Sequence, residues 1–147
     1  MHKKKVLITI TGQQNIDENI EEIQLVVSGL YYEKNGIKYL EYEEYDKKGL
    51  DEKIKCTIKI NKNNSINLNK TGKYGSKLIL EKKQHRLCLY GTEFGNISMG
   101  VYTSNISCYF EKNNATIHAT YTLDLNSKLI STNKILINIK ETNNQCQ

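Results

Sequence analysis

Along nearly the whole chain, apolar and polar side chains take turns with a period of two. Val6, Ile8 and Ile10 alternate with Leu7, Thr9 and Thr11, which reads as a first β-strand. "QNIDEN" is a polar break, and "IEEIQLVVSGLYY" follows with Ile23, Leu25 and Val27 on one side. Asn35-Gly36 then separates two alternating runs. A type I′ turn needs positive φ at both central residues, so this pair predicts a hairpin joining the second strand to "IKYLEYEEY". Beyond the turn "DKKGLDEK", Ile54, Cys56, Ile58 and Ile60 share one face, and Lys55, Thr57 and Lys59 the other. "SINLNK", "KLIL", "HRLCLY", "ISMGVYTS" running on to "CYFEK", "ATIHATYTLDL" and "KILINIKE" continue the pattern, each bounded by Asn, Gly or Lys-rich turns.

Short strands joined in sequence order make a meander, and a meander has two unpaired edges. Closure removes them, so the expected fold is all-β: an antiparallel up-and-down barrel of about 8–10 strands. Val6, Ile8, Ile10, Val27, Ile58, Leu68, Ile117, Leu123, Ile135, Ile137 and Ile139 should face inward and the lysines outward. With 147 residues and no linker-like segment, one domain spanning 1–147 is expected, with "TNNQCQ" frayed. A chain of this length buries roughly two-thirds of its unfolded surface and needs no disulfide or metal staple.

Composition narrows the function classes. The net charge is +5, but Arg86 is the only arginine, and the lysines are interleaved with Glu and Asp. Bidentate phosphate and base contacts favour arginine, so no nucleic-acid partner is expected. "MHKKKVLITITG" has the basic start of a signal peptide, but its apolar run is short, broken by threonine and followed by no cleavage site. No run approaches the length of a membrane-spanning helix. Cys56, Cys88, Cys108 and Cys146 form no C-x-x-C pair and join no histidine cluster, so no metal, cofactor or disulfide framework is expected. A cytoplasmic setting with reduced thiols follows.

"YYEKNGIKYLEYEEYDKKGLDEKIKCTIKI", then "LYGTEFGNISMGVYTSNI" and "TYTLDLN", resemble the DUF1934 family of small bacterial proteins of unknown function. The similarity runs from about residue 5 to residue 140 and includes the terminal "KILINIKE" strand. It implies a calycin-like, lipocalin-related barrel and brings no catalytic residues with it. Lipocalins usually close the barrel with an early tryptophan and a late arginine. This chain has no tryptophan, and its one arginine is central, so their ligand repertoire does not transfer.

In the strand "IKYLEYEEY", Leu40, Tyr42 and Glu44 share one side. Tyr39, Glu41, Glu43 and Tyr45 form the more polar, solvent-facing side. Tyr42 and Glu44 therefore look into the barrel, together with Tyr121, and are the candidate ligand-binding residues. Alternatively, Glu44 snorkels from the strand end and answers a lysine such as Lys55, and the tyrosines are plain core. Glu43 and Glu44 point to opposite faces and cannot work as a carboxylate pair on one substrate. On "HRLCLY", Leu87 and Leu89 mark the inward face, which would leave Arg86, Cys88 and Tyr90 outside. His85 and His118 have no nucleophile at a recognisable spacing. The expectation is a non-enzymatic barrel that binds a small amphipathic ligand in its lumen. The alternative is an interaction or homodimerisation module with a filled barrel and an exposed patch, for example around Tyr31, Tyr32 or Tyr45.

Overall fold

The computed structural model describes residues 2–45, 53–72 and 74–142. Ten strands run β1 (Lys4–Ile16), β2 (Asn19–Lys34), β3 (Ile37–Tyr45), β4 (Lys53–Ile60), β5 (Ile66–Lys70), β6 (Ser76–Leu80), β7 (His85–Thr92), β8 (Gly95–Phe110), β9 (Asn114–Leu125) and β10 (Lys128–Glu141). Each pairs antiparallel with its sequence neighbour, and β1 pairs with β10, closing the meander into a barrel. The expected fold class is thus the observed one. The turn read at "DKKGLDEK" falls almost wholly outside the described residues, as does the tail "TNNQCQ" with Cys146. No helix among the described residues is long and apolar enough to cross a membrane.

Asn35 (φ 55°) and Gly36 (φ 78°) both adopt positive φ between the paired Lys34 and Ile37, as the hairpin reading requires. Two further turns do the same without a glycine: Asp17-Glu18 closes β1–β2, and Asn126-Ser127 closes β9–β10. Three two-residue turns of this kind match the right-handed strand twist and hold the long hairpins in register.

The interior is layered along the barrel axis. At one end Ile8, Leu40, Ile60, Ile66, Leu80, Ile117 and Ile137 are essentially inaccessible and plug the lumen. Burying a side chain of this size contributes about 1.5–3 kcal/mol, so this plug is where the fold's stability is concentrated. All eleven positions expected to face inward do so by register, packed in or against the core.

β7 departs from expectation. Cys88 lies opposite Met99, and Tyr90 opposite Ile97, on the face that Met99 and Val101 bury. Opposed residues share a face, so Cys88 and Tyr90 point inward, and Leu87 stands 74% exposed. Both sets on this strand are apolar, and alternation alone could not choose between them. Arg86 shares this inward face, opposite the buried Val101, and not the outer face expected. Near the start of the strand its side chain still reaches solvent, and its Nη1 donates to Glu81 Oε1 at 2.7 Å.

The β6–β7 ladder is short, with only Ser76↔Tyr90 and Lys77↔Leu89 in register. Past it, the Ile79 N–H donates to the Cys88 sulphur at 3.3 Å in place of a ladder carbonyl. Closure is completed further on: Lys83 N–H donates to the Thr103 carbonyl at 2.7 Å, beside a β-bulge between Thr103 and Asn105.

Candidate functional site

Above the plug the barrel opens. A cavity of about 270 Å³ lies between the plug and the end that carries the β1–β2, β5–β6 and β7–β8 turns. Its lower wall is apolar, with Ile10, Leu25, Ile58, Leu68, Leu78 and Ile135. Its upper wall is polar, with Glu44, Lys70, Ser76, Tyr90 and Tyr121. The layering follows from strand alternation on two neighbouring strands of this wall, whose inward columns run from a large aliphatic to a charged group: Leu40-Tyr42-Glu44 on β3 and Ile66-Leu68-Lys70 on β5.

All three residues singled out from sequence line this cavity. Tyr42 and Glu44 stand on one wall beside Cys56, which lies directly opposite Tyr42 across the β3–β4 ladder. Lys70 comes next to Cys56 on β5, and its Nζ lies 3.5 Å from Glu44 Oε2, bridging over β4. The lysine that answers Glu44 is therefore Lys70, not Lys55. Lys55 lies opposite Glu43 on the outer face.

These side chains form a chain of contacts from lumen to mouth. Tyr42 interacts with Cys56, its partner across the β3–β4 ladder, and Cys56 interacts with Glu44 in turn. Burial is the largest cause holding the Tyr42 hydroxyl protonated far above the usual phenol range, with Cys56 and Glu44 adding to it. Burial and the Glu44 charge push the Cys56 thiol up to about 11, against an opposing pull from Lys70. At neutral pH the cluster thus presents a neutral phenol, a neutral thiol and one ion pair at the rim. Tyr121 faces them from β9. Burial, then the neighbouring Tyr90, push its hydroxyl up to about 12.

Gly12 faces the cavity from β1, where a Cβ would meet nothing within 4 Å. Near Tyr121, the fully buried Thr103 Oγ1 has no protein hydrogen-bond partner among the described residues. His85 pairs with Asp124 at 2.9 Å on the outer surface, away from this cavity. Tyr32 and Tyr39 stack at 4.9 Å on the outer face, and Tyr32 donates to Glu41.

Lys70, Cys56, Tyr90 and Gly12 belong to the site and were not among the sequence candidates. Lys70 departs from the expectation that the lysines face outward: it continues the inward alternation of Ile66 and Leu68, and at the barrel mouth its ammonium pairs with Glu44. Tyr90 was hidden by the ambiguity of β7.

No curated protein matches the chain. The crystal structure of the ywiB protein from Bacillus subtilis is similar in fold, with a TM-score of 0.83 at 18% sequence identity, covering 96% of this chain and 94% of that one. The model of the "Domain of unknown function (DUF1934)" family matches residues 8–137, which includes β2 to β9 and most of β1 and β10. The chain, a calycin-like ten-stranded barrel, belongs to the DUF1934 family.

Proposed function

We propose that the protein is a non-enzymatic binder that takes a small amphipathic ligand into its lumen, apolar part down and polar head at the Glu44–Lys70 rim. The observation that carries this reading is a cavity plugged at one end and apolar below, with its polar groups gathered at the open end. An engineered apolar cavity of roughly 150 Å³ holds benzene. A volume of about 270 Å³ therefore suits one ring with a short chain rather than a long acyl tail. Glu44 and Lys70 offer an acceptor and a donor side by side, so a head of either charge finds a partner. The neutral Tyr42 and Cys56 beside them fit orientation better than nucleophilic work, since a thiolate is needed for the latter. In this reading the protein works in a bacterial cytoplasm, where Cys56, Cys88 and Cys108 stay reduced.

Calorimetric titration with indole, 3-phenylpropanoate and phenethylamine tests the reading. One-to-one saturable binding of at least one of them is expected, with loss of that binding in Gly12→Val, whose side chain would enter the cavity. Binding that survives Gly12→Val would place the ligand elsewhere, and no binding by any of the three would leave the lumen reading without support.

A further inference from the structure

We infer that the free edge of β2 is a homodimerisation surface, on which a second copy of this chain pairs antiparallel about a two-fold axis at Ile23. The starting point is an imbalance between β2 and β3. Their ladder runs from the Asn35-Gly36 turn only as far as Gly29↔Tyr42, while β2 continues with β1 to Asn19. In a two-residue hairpin the flanking residues form the hydrogen-bonded pair, so Asn19 and every second residue after it turn toward β1. By the same rule at the other turn, Lys34, Tyr32 and Leu30 turn toward β3. Ile20, Glu22, Gln24 and Val26 have that second orientation, and no described residue pairs with their N–H and C=O groups on that side.

Unpaired edges are normally blunted by proline, lysine or covering structure. From Asn19 to Ser28 this one carries no lysine and no proline, and its only charged residues are Glu21 and Glu22. Its apolar side chains are unusually open: Ile20 is 60%, Ile23 65% and Val26 57% exposed. Ile20 and Val26 are open on the outer face and Ile23 on the lumen face, so both faces of this edge carry exposed apolar side chains of the kind found at interaction surfaces.

The residue pattern selects the occupant. With the two-fold at Ile23, Ile20 lies opposite the second copy's Val26 on the outer face, and Glu22 lies opposite Gln24. Ile23 meets its own copy at the cavity mouth. Leu25 stands opposite Glu21, and no glutamate lies directly opposite a glutamate. Moving the axis to Glu22 would set like charges directly opposite, which is destabilising. An isologous pairing closes after two copies, so the edge is used up rather than left to propagate. Because Ile23 lines the cavity, the second copy would also contribute to its mouth.

Sedimentation equilibrium of the full chain tests this, alongside Val26→Lys, Gln24→Glu and Gln24→Lys, each checked by circular dichroism. The expected result is a monomer–dimer equilibrium that Val26→Lys shifts to monomer. Gln24→Glu, which places a carboxylate opposite Glu22, should weaken the dimer several-fold, and Gln24→Lys should tighten it several-fold. Residue 24 is exposed, so this opposed pair stands even if Val26→Lys perturbs folding. A full chain that stays monomeric at its highest soluble concentration, or a dimer indifferent to these changes, would overturn the inference.

Discussion

Single residues decide whether the lumen can work as a receptor, and Gly12 is the most informative of them. Glycine within a strand costs conformational entropy and packs nothing, so its presence in β1 keeps space open at the expense of stability. Gly12→Val should therefore raise the thermal midpoint by a few degrees, since about 1 kcal/mol moves a domain of this size by roughly 2–4 °C, while abolishing lumen binding. A lowered midpoint in calorimetry would mean that the open space is less than it looks. Thr103 makes the complementary case. A buried hydroxyl without a partner costs about 1–3 kcal/mol, so Thr103→Val should be neutral or stabilising in urea melts. Cys56 tests the electrostatics of the rim. With its thiol pushed up to about 11, only about a thousandth is thiolate at pH 8. Glu44 raises that value and Lys70 lowers it. Glu44→Gln should thus speed alkylation by a small thiol reagent at pH 8, and Lys70→Met should slow it. Two changes of the same sign would indicate altered access rather than altered charge.

At the level of elements, the strands were legible because alternation has a period of two and nearly every strand has one dry face. Asn35-Gly36 was legible because its φ requirement is written in its residue types. Gly36 has φ 78°, and a Cβ there would press on the Lys62 side chain, so Gly36→Ala should cost about 1–2 kcal/mol in denaturant melts without changing the fold. Asp17-Glu18 and Asn126-Ser127 adopt the same turn geometry with no glycine to announce it, and showed only as polar breaks. The facing of β7 was illegible because Leu87, Cys88, Leu89 and Tyr90 are all apolar enough for either side. Its true register gives Cys88 a task that residue type does not reveal, that of accepting the Ile79 N–H at the short β6–β7 seam. Cys88→Ala leaves that donor without its acceptor and removes buried volume. It should lower stability by about 1–3 kcal/mol and speed amide exchange at Ile79 ahead of the plug residues. Uniform exchange across β6 and β4 would mean the seam is no weaker than the rest.

For the molecule as a whole, the candidate site was partly legible for a reason that joins these scales. Inward columns follow from one strand at a time, and they correctly placed Tyr42, Glu44 and Tyr121 on the lumen. Cross-strand partnership depends on register between strands, which no single segment encodes, and so Lys70 was missed and Lys55 wrongly preferred. The assembled site has a consequence for the pH dependence of folding. Burial first of all holds the hydroxyls of Tyr31, Tyr42 and Tyr121 and the thiol of Cys56 protonated above their ordinary values. In the unfolded chain these groups lose their protons near their usual pKa values of about 9 for Cys and about 10 for Tyr. Above that range the unfolded state binds fewer protons than the native state, so stability falls as pH rises. Below about pH 8 both states are protonated, and these groups contribute no pH dependence. The urea midpoint should therefore be level in this respect through neutral pH and decline from about pH 9 upward. Tyr42→Phe should lower stability at pH 7 only modestly, because the ring still fills its place, and should flatten the alkaline decline. A decline as steep in Tyr42→Phe as in the parent would assign the alkaline loss to other groups, and with it would go the claim that a neutral Tyr42 is built into the lumen wall.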